Sequence, residues 1–264
     1  MPPKPPTTGS TSSENLPTMG LLDHLEELRK RLVKALLALV VTTALAWTYI
    51  EEIFTFLAQP IYDVPEFAGQ KLAIFGLSDG FLLYFKVGLL AGAFLAAPFI
   101  LYQVYAFVAP GLYQKERRMA VPFVMVGTAF FIAGGLFAYY VAFPFTVTFM
   151  LQFSSQFDTV IAADKYFGFL MMVVLGLGLM FELPIFIFLL SVMNVVTPAF
   201  LIRHFRWAVL IIFVLAAVVT PTPDAVNLCL FALPTVALYV LGTAAAWVVH
   251  ARRKRAATAN TPEP

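Results

Sequence analysis

The 264 residues are 61% apolar and only 12% charged, with a mean hydropathy of +0.86. An ordinary globular domain is roughly 45–50% apolar and 25% charged, so a soluble domain is excluded and an all-α membrane protein is expected. The single cysteine, Cys229, excludes an internal disulfide and a cysteine-based metal site, and a formal net charge of +2 says less than where the charges lie.

Residues 1–18 are rich in Pro, Ser and Thr and lack the apolar stretch of a secretory signal, so they read as a disordered tail. Residues 19–250 form the membrane domain, and residues 251–264 read as a basic, then disordered, second tail. Within the domain, Leu21–Leu32 is a short amphipathic helix. Leu21, Leu25, Leu28 and Leu32 make one stripe, and Asp23, Glu26, Glu27, Arg29, Lys30 and Arg31 make the other face. Basic residues on such a helix suit an interfacial position near anionic lipid. Glu26 and Glu27 gain nothing there, and pairing with Lys30 and Arg31 at i,i+4 is worth only about 0.2–0.5 kcal/mol.

A helical span needs about 20 mainly apolar residues. Leu32–Ile50, Phe81–Val108, Ala120–Phe143 and Tyr166–Val192 satisfy this. The second, at roughly 42 Å, must tilt or protrude from a hydrocarbon core of about 30 Å. Trp207–Val219 and Ala225–Val249 follow, divided by Thr220-Pro221-Thr222-Pro223-Asp224. The first of this pair is about 20 Å long, short for a full crossing, so the last two spans are expected to be short and to thin the bilayer. Six spans put both termini on one side. Arg29, Lys30, Arg31, Lys34, Lys115, Arg117, Arg118, Arg203, Arg206 and Arg252–Arg255 all fall on that side, whereas the opposite loops hold Lys71 and Lys165 and most of the acids. By the positive-inside rule both termini are cytoplasmic.

Three acids stand out against this pattern. Glu27 lies on the basic side, and Glu116 is the only acid in the loop Gln114-Lys115-Glu116-Arg117-Arg118; a solvated local ion pair is the plain alternative for each. Glu182 sits deep in the fourth span, in Phe181-Glu182-Leu183-Pro184. Insertion there costs at least about 2.5–3.5 kcal/mol, so it should face protein or water rather than lipid. Pro184 removes a backbone donor to Met180 and favours a kink. Gly88 and Gly92 make a GxxxG match, a common pattern in membrane helices. His24, His204 and His250 lie at or beyond helix ends, no HExxH or GxSxG occurs, and there is no phosphate-binding glycine loop. An enzyme, a cofactor, a metal site and nucleic-acid binding are not expected.

Taken together, several segments resemble the TatC family of the twin-arginine protein translocase. They are His24-Leu25-Glu26-Glu27-Leu28-Arg29-Lys30-Arg31-Leu32, the run Leu101–Phe107 with Pro110, Leu112 and Glu116-Arg117-Arg118, Phe181–Pro184, Pro221–Asp224, and Pro60 in the first outer loop. The resemblance implies an inner-membrane receptor that binds twin-arginine signal peptides of folded proteins and organises their export under the proton-motive force. It implies Glu27 and Glu116 as arginine-binding carboxylates with Arg29 and Phe107 nearby, Glu182 as an intramembrane functional residue, and Pro60, Pro110, Pro184 and Asp224 as structural or loop positions. Implied partners are the single-span subunits TatB and TatA, further copies of the chain, and membrane lipid. Where the family usually has a polar Gln, four residues after Asp224, this chain has Leu228, with Asn227 adjacent. A proton-coupled small-solute transporter using Glu182 is the competing reading, though such a site should gather several polar groups at the midplane.

Overall fold

The computed structural model describes residues 21–63, 72–109, 120–154, 160–220, 222 and 224–259. Pro110, Glu116 and the 1–18 tail lie outside them. Helix α1 (Leu21–Trp47) is followed after a two-residue break by α2 (Ile50–Tyr62), bent 88° from it. Then come α3 (Asp79–Val108), α4 (Ala120–Phe137), a π-helical turn (Ala138–Ala142), α5 (Phe143–Ser154), α6 (Ala163–Phe181) and α7 (Leu183–Val192). The order ends with α8 (Pro198–Arg203), α9 (Phe205–Val219) and α10 (Ala225–Ala259).

Among the described residues, four stretches are long and apolar enough to cross a membrane, at Asp79–Val108, Ala120–Phe153, Ala163–Val192 and Ala225–Ala251; α1 with α2 passes the same test as a bent pair. Helix α9, with 15 residues, is about 22 Å long.

Small residues let the helices approach, as they must where lipid gives no hydrophobic drive for association. Helices α1 and α3 run antiparallel, for Arg31 meets Gln103 at one end and Trp47 meets Phe81 at the other. They cross on Gly88 and Gly92. A methyl group on Gly92 would lie 2.8 Å from both Cα and N of Thr43, so glycine is required. Thr42 Oγ1 donates across the same crossing to the Gly92 carbonyl at 2.8 Å. Gly134 does for α4 and α6 what Gly92 does for α1 and α3, since a Cβ there would sit 2.8 Å from the Leu177 carbonyl. Phe143, Leu170, Leu177, Ile212 and Phe231 are fully enclosed between these layers.

Several boundaries differ from the sequence expectation. The amphipathic segment and the first span are one helix, because nothing between Leu21 and Trp47 breaks it. Pro60, expected in a loop, lies buried in the last turn of α2. The third span continues past Phe143 to Phe153, through the π-helical turn. The fourth, by contrast, breaks as expected at Glu182, with Pro184 in the first turn of α7. The last span is not short as expected: α10 has 35 residues and runs past the boundary drawn at residue 250 as far as Ala259, through an Ala- and Arg-rich stretch of high helix propensity, so only α9 is short.

Pro60 explains a contact elsewhere. A proline has no N–H, so the carbonyl four residues back loses its helical donor. That carbonyl is Phe56, and the Tyr139 hydroxyl, from the π-helical turn, donates to it. The Tyr166 hydroxyl donates to the next carbonyl, Leu57, at 3.2 Å. Tyr139→Phe therefore leaves a partly buried carbonyl without its donor and should lower stability by about 1 kcal/mol. In a Pro60→Ala background, which restores the N–H, the same change should cost less than about 0.5 kcal/mol. Equal costs in the two backgrounds, measured by denaturation in detergent, would refute the link.

Candidate functional site

The end of the bundle where α1 begins and α3 finishes carries a small polar cluster. Residues 24, 27 and 31 recur at helical spacing along α1 and turn toward α3. The His24 ring stacks on Phe107, with ring centroids 4.4 Å apart and planes 25° from parallel. Glu27 Oε1 accepts from Arg31 Nη2 at 3.1 Å, and Arg31 Nη1 donates to Gln103 Oε1 at 3.3 Å. Gln103 and Phe107 are one turn apart on α3, so one face of that helix supplies both. The Glu27 and Arg31 side chains are only 17% and 26% exposed. Glu27 Oε2 is buried and meets no donor among the described residues.

Glu26 behaves differently. Its carboxylate pairs with Lys30 at 2.7 Å on the open side of α1. The hydrogen bond and charge of Lys30 hold it below the ordinary carboxylate range. Of the two adjacent acids, only Glu27 faces the neighbouring helix. Arg29 is exposed and lies about 200° around α1 from Glu27, so the guanidinium in contact with Glu27 belongs to Arg31. In the sequence Arg31 stands out only as one basic residue among several and a weak i,i+4 partner, and Gln103 only as part of a motif. What could have marked Gln103 is its spacing of four from Phe107 in an otherwise apolar run.

Glu182 lies on the other side of α3. It is 2% exposed, and neither carboxylate oxygen meets a donor among the described residues. It does not face lipid. A Cβ on Gly127 would come within 3.3 Å of Glu182 Oε2 and 3.0 Å of Leu101 Cδ1. The absence of a side chain at 127 thus makes room for the carboxyl between α3 and α4. Leu101 and Gln103 are two residues apart on α3, hence on nearly opposite sides of it. Glu182 and the Arg31–Gln103 contact thus lie on different sides of α3. A groove of about 240 Å³ opens alongside between α4, α7 and α10; Phe123, Val126, Pro184, Ile185 and Leu241 are among its apolar walls. Pro184 is buried at the start of α7.

At the opposite end of the bundle, Asp224 caps α10. It accepts from the Asn227 N–H at 2.8 Å and from Asn227 Nδ2 at 2.9 Å. Slight burial works against its charge, but these bonds, with others from Thr222 and Val226, hold the carboxyl below its usual value. Asn227 Oδ1 in turn accepts from Thr146 Oγ1 at 2.8 Å. Both side chains are fully buried, so the polar contact at this helix is made by Asn227, one residue before the half-buried Leu228. The sequence reading singled out Leu228 and passed over Asn227 as a neighbour.

Among the described residues no group of three or more His, Cys, Asp or Glu side chains could hold a metal.

Comparison with known proteins bears directly on these segments. Residues 23–234 match the family model for the Sec-independent protein translocase protein TatC. The TatC protein of Koribacter versatilis is 39% identical over 246 residues, which covers 92% of this chain and 91% of that one. The Deinococcus radiodurans TatC protein is 36% identical over 245 residues, 92% of this chain and 91% of its own. TatCy of Bacillus subtilis is 36% identical over 84% of this chain and 86% of its own. A crystal structure of the twin-arginine translocase receptor TatC superposes with a TM-score of 0.74 at 28% identity, covering 85% of this chain and 98% of that one.

Proposed function

The chain belongs to the TatC family of Sec-independent protein translocase proteins, and from that membership we propose that its basic end is a receptor surface for the twin-arginine signal peptides of folded proteins. It is a multi-spanning membrane subunit of the twin-arginine translocation system. Its six spans leave both termini in the cytoplasm, and the membrane is the bacterial inner membrane. Helix α9 serves as a short fifth span, and α1, ending at the bend before α2, as the first.

The observation that carries the site is the Glu27 carboxylate, held against α3 with one oxygen free of any described donor. It lies beside the last turns of α3, from which the connection to α4 departs. Glu116 is in that connection, seven residues beyond Ala109, within about 24 Å of chain from it. Two planar guanidinium groups in a signal peptide are best met by two carboxylates that accept bidentate hydrogen bonds. Glu27 and Glu116 are acids on a side of the membrane where charge is otherwise basic. Phe107, packed on His24, offers an aromatic wall beside Glu27, and the exposed Arg29 borders the same helix. Glu182, enclosed between α3 and α4, acts within the membrane once the α4 contact opens. There it meets a polar group on a single-span partner of the TatA or TatB kind during export driven by the proton-motive force.

Glu27→Ala and Glu116→Ala should each weaken binding of an Arg-Arg peptide about ten- to a hundredfold while the protein remains inserted and folded. A Lys-Lys peptide should bind poorly to the native chain and lose less; binding of the Arg-Arg peptide unchanged within threefold removes the carboxylates from the site. For the topology, Ser10→Cys, Val160→Cys and Thr258→Cys in a Cys229→Ser background should label from the cytoplasm, the periplasm and the cytoplasm. Periplasmic labelling at 258 would sink the arrangement. Glu182→Ala should impair export with peptide binding intact, and normal export with normal TatA recruitment would leave the carboxylate a structural role only.

A further inference from the structure

Glu27 already has a guanidinium on it. Arg31, one turn along the same helix, holds Oε1 at 3.1 Å with one nitrogen and reaches Gln103 Oε1 at 3.3 Å with another. The arrangement is a single-point contact on each partner, not the two parallel hydrogen bonds a guanidinium can make to a carboxylate. Both distances lie at or beyond the long end of the hydrogen-bonding range. Gln103 is only 4% exposed, so it offers a neutral acceptor inside the helix interface, next to the carboxylate.

We propose that Arg31 is an internal competitor at this site: its guanidinium occupies Glu27 until a ligand guanidinium displaces it, and Gln103 retains the displaced group. The inference rests on the reading of Glu27 as an arginine-binding carboxylate. An incoming arginine gains a bidentate contact on both Glu27 oxygens and must first end the weaker contact made by Arg31. Because Arg31 is tethered, it competes at a high effective concentration whatever the ligand. Every arginine-bearing chain meets the same threshold. A lone arginine has only the Glu27 contact with which to overcome it, whereas a paired motif brings a second attachment. Arg31 thus sets an affinity threshold by opposing the ligand, a threshold that a doubly attached motif can exceed and a lone arginine cannot, and it keeps the carboxylate partnered while no peptide is bound.

The sign of one substitution tests this. With the full chain in detergent or nanodiscs, Arg31→Gln should bind a fluorescent Arg-Arg peptide about two- to fivefold tighter, the range expected for removal of a partly exposed ion pair. A residue that merely orients Glu27 gives the opposite sign. Lys30→Gln removes the same charge from the Glu26 pair and should change affinity less than twofold. Glu27→Gln should lose peptide binding, and adding Arg31→Gln to it should restore none. Arg31→Lys keeps the charge but offers a point contact, so it should move affinity in the same direction by a smaller factor. It carries the test if Arg31→Gln fails to give a monodisperse protein. Unchanged or weaker binding in the Arg31 variants overturns the proposal, as does an equal gain in Lys30→Gln. Binding unaffected by Glu27→Gln overturns instead the underlying assignment of Glu27.

Discussion

The close crossing of α1 and α3 at Gly92 is the constraint on which the rest depends. Inside a bilayer two apolar helices have no reason to exclude lipid from between them, so adhesion must come from backbone approach and polar contacts. Gly92 supplies the approach, because the Thr43 backbone takes the place of a side chain there. Thr42 adds a hydroxyl bond to the Gly92 carbonyl. From this crossing α1 and α3 run antiparallel toward the basic end, where a separation of a few ångströms would leave Arg31 unable to reach Gln103. The polar cluster around Glu27 is therefore a consequence of a contact some three helical turns away.

The same fold shows two ways of placing polar atoms among apolar helices. Asn227, Thr146 and Asp224 form a closed set, each bonded to at least one other, and they tie the start of α10 to α5. Glu182 and Glu27 are the other kind. Each has a buried carboxylate oxygen with no donor among the described residues. A fully partnered network holds a structure in one arrangement, whereas an atom with spare hydrogen-bonding capacity has something to gain from an arriving group. The bundle thus keeps its closed network at one end and its open acceptors toward the other.

Much of this was legible in the residues. Helical class, the strong spans and the exclusion of lipid from Glu182 follow from hydropathy and the cost of a charge in hydrocarbon. Glu27 was legible as an anomaly, an acid where positive charge prevails. The rest depended on distance through space. Gly88 and Gly92 match a pattern too common to be informative until Thr43 is seen against it. Gln103 and Asn227 are single polar residues in apolar runs, and only the neighbouring helix shows which way each faces. The helix Ile50–Tyr62 was not legible because its acids and Pro60 resemble a loop, yet two of its residues, Leu57 and Phe54, are met by Tyr166 and Phe167, more than a hundred positions later.

Tyr139 and Tyr166 have a mechanical consequence. Their hydroxyls grip two successive carbonyls of α2, Phe56 and Leu57, from a π-helical turn and from α6 respectively. A force that lifts α2 loads both bonds in parallel, so they share the load and both must break before α2 comes away. Detachment of α2 is then one rupture event with a threshold, unlike the gradual peeling of a helix held at its end. Below that threshold α2 behaves as a stiff lever arm, set 88° from α1, and a tug on the chain beyond Tyr62 is delivered to the π-helical turn and the first turn of α6.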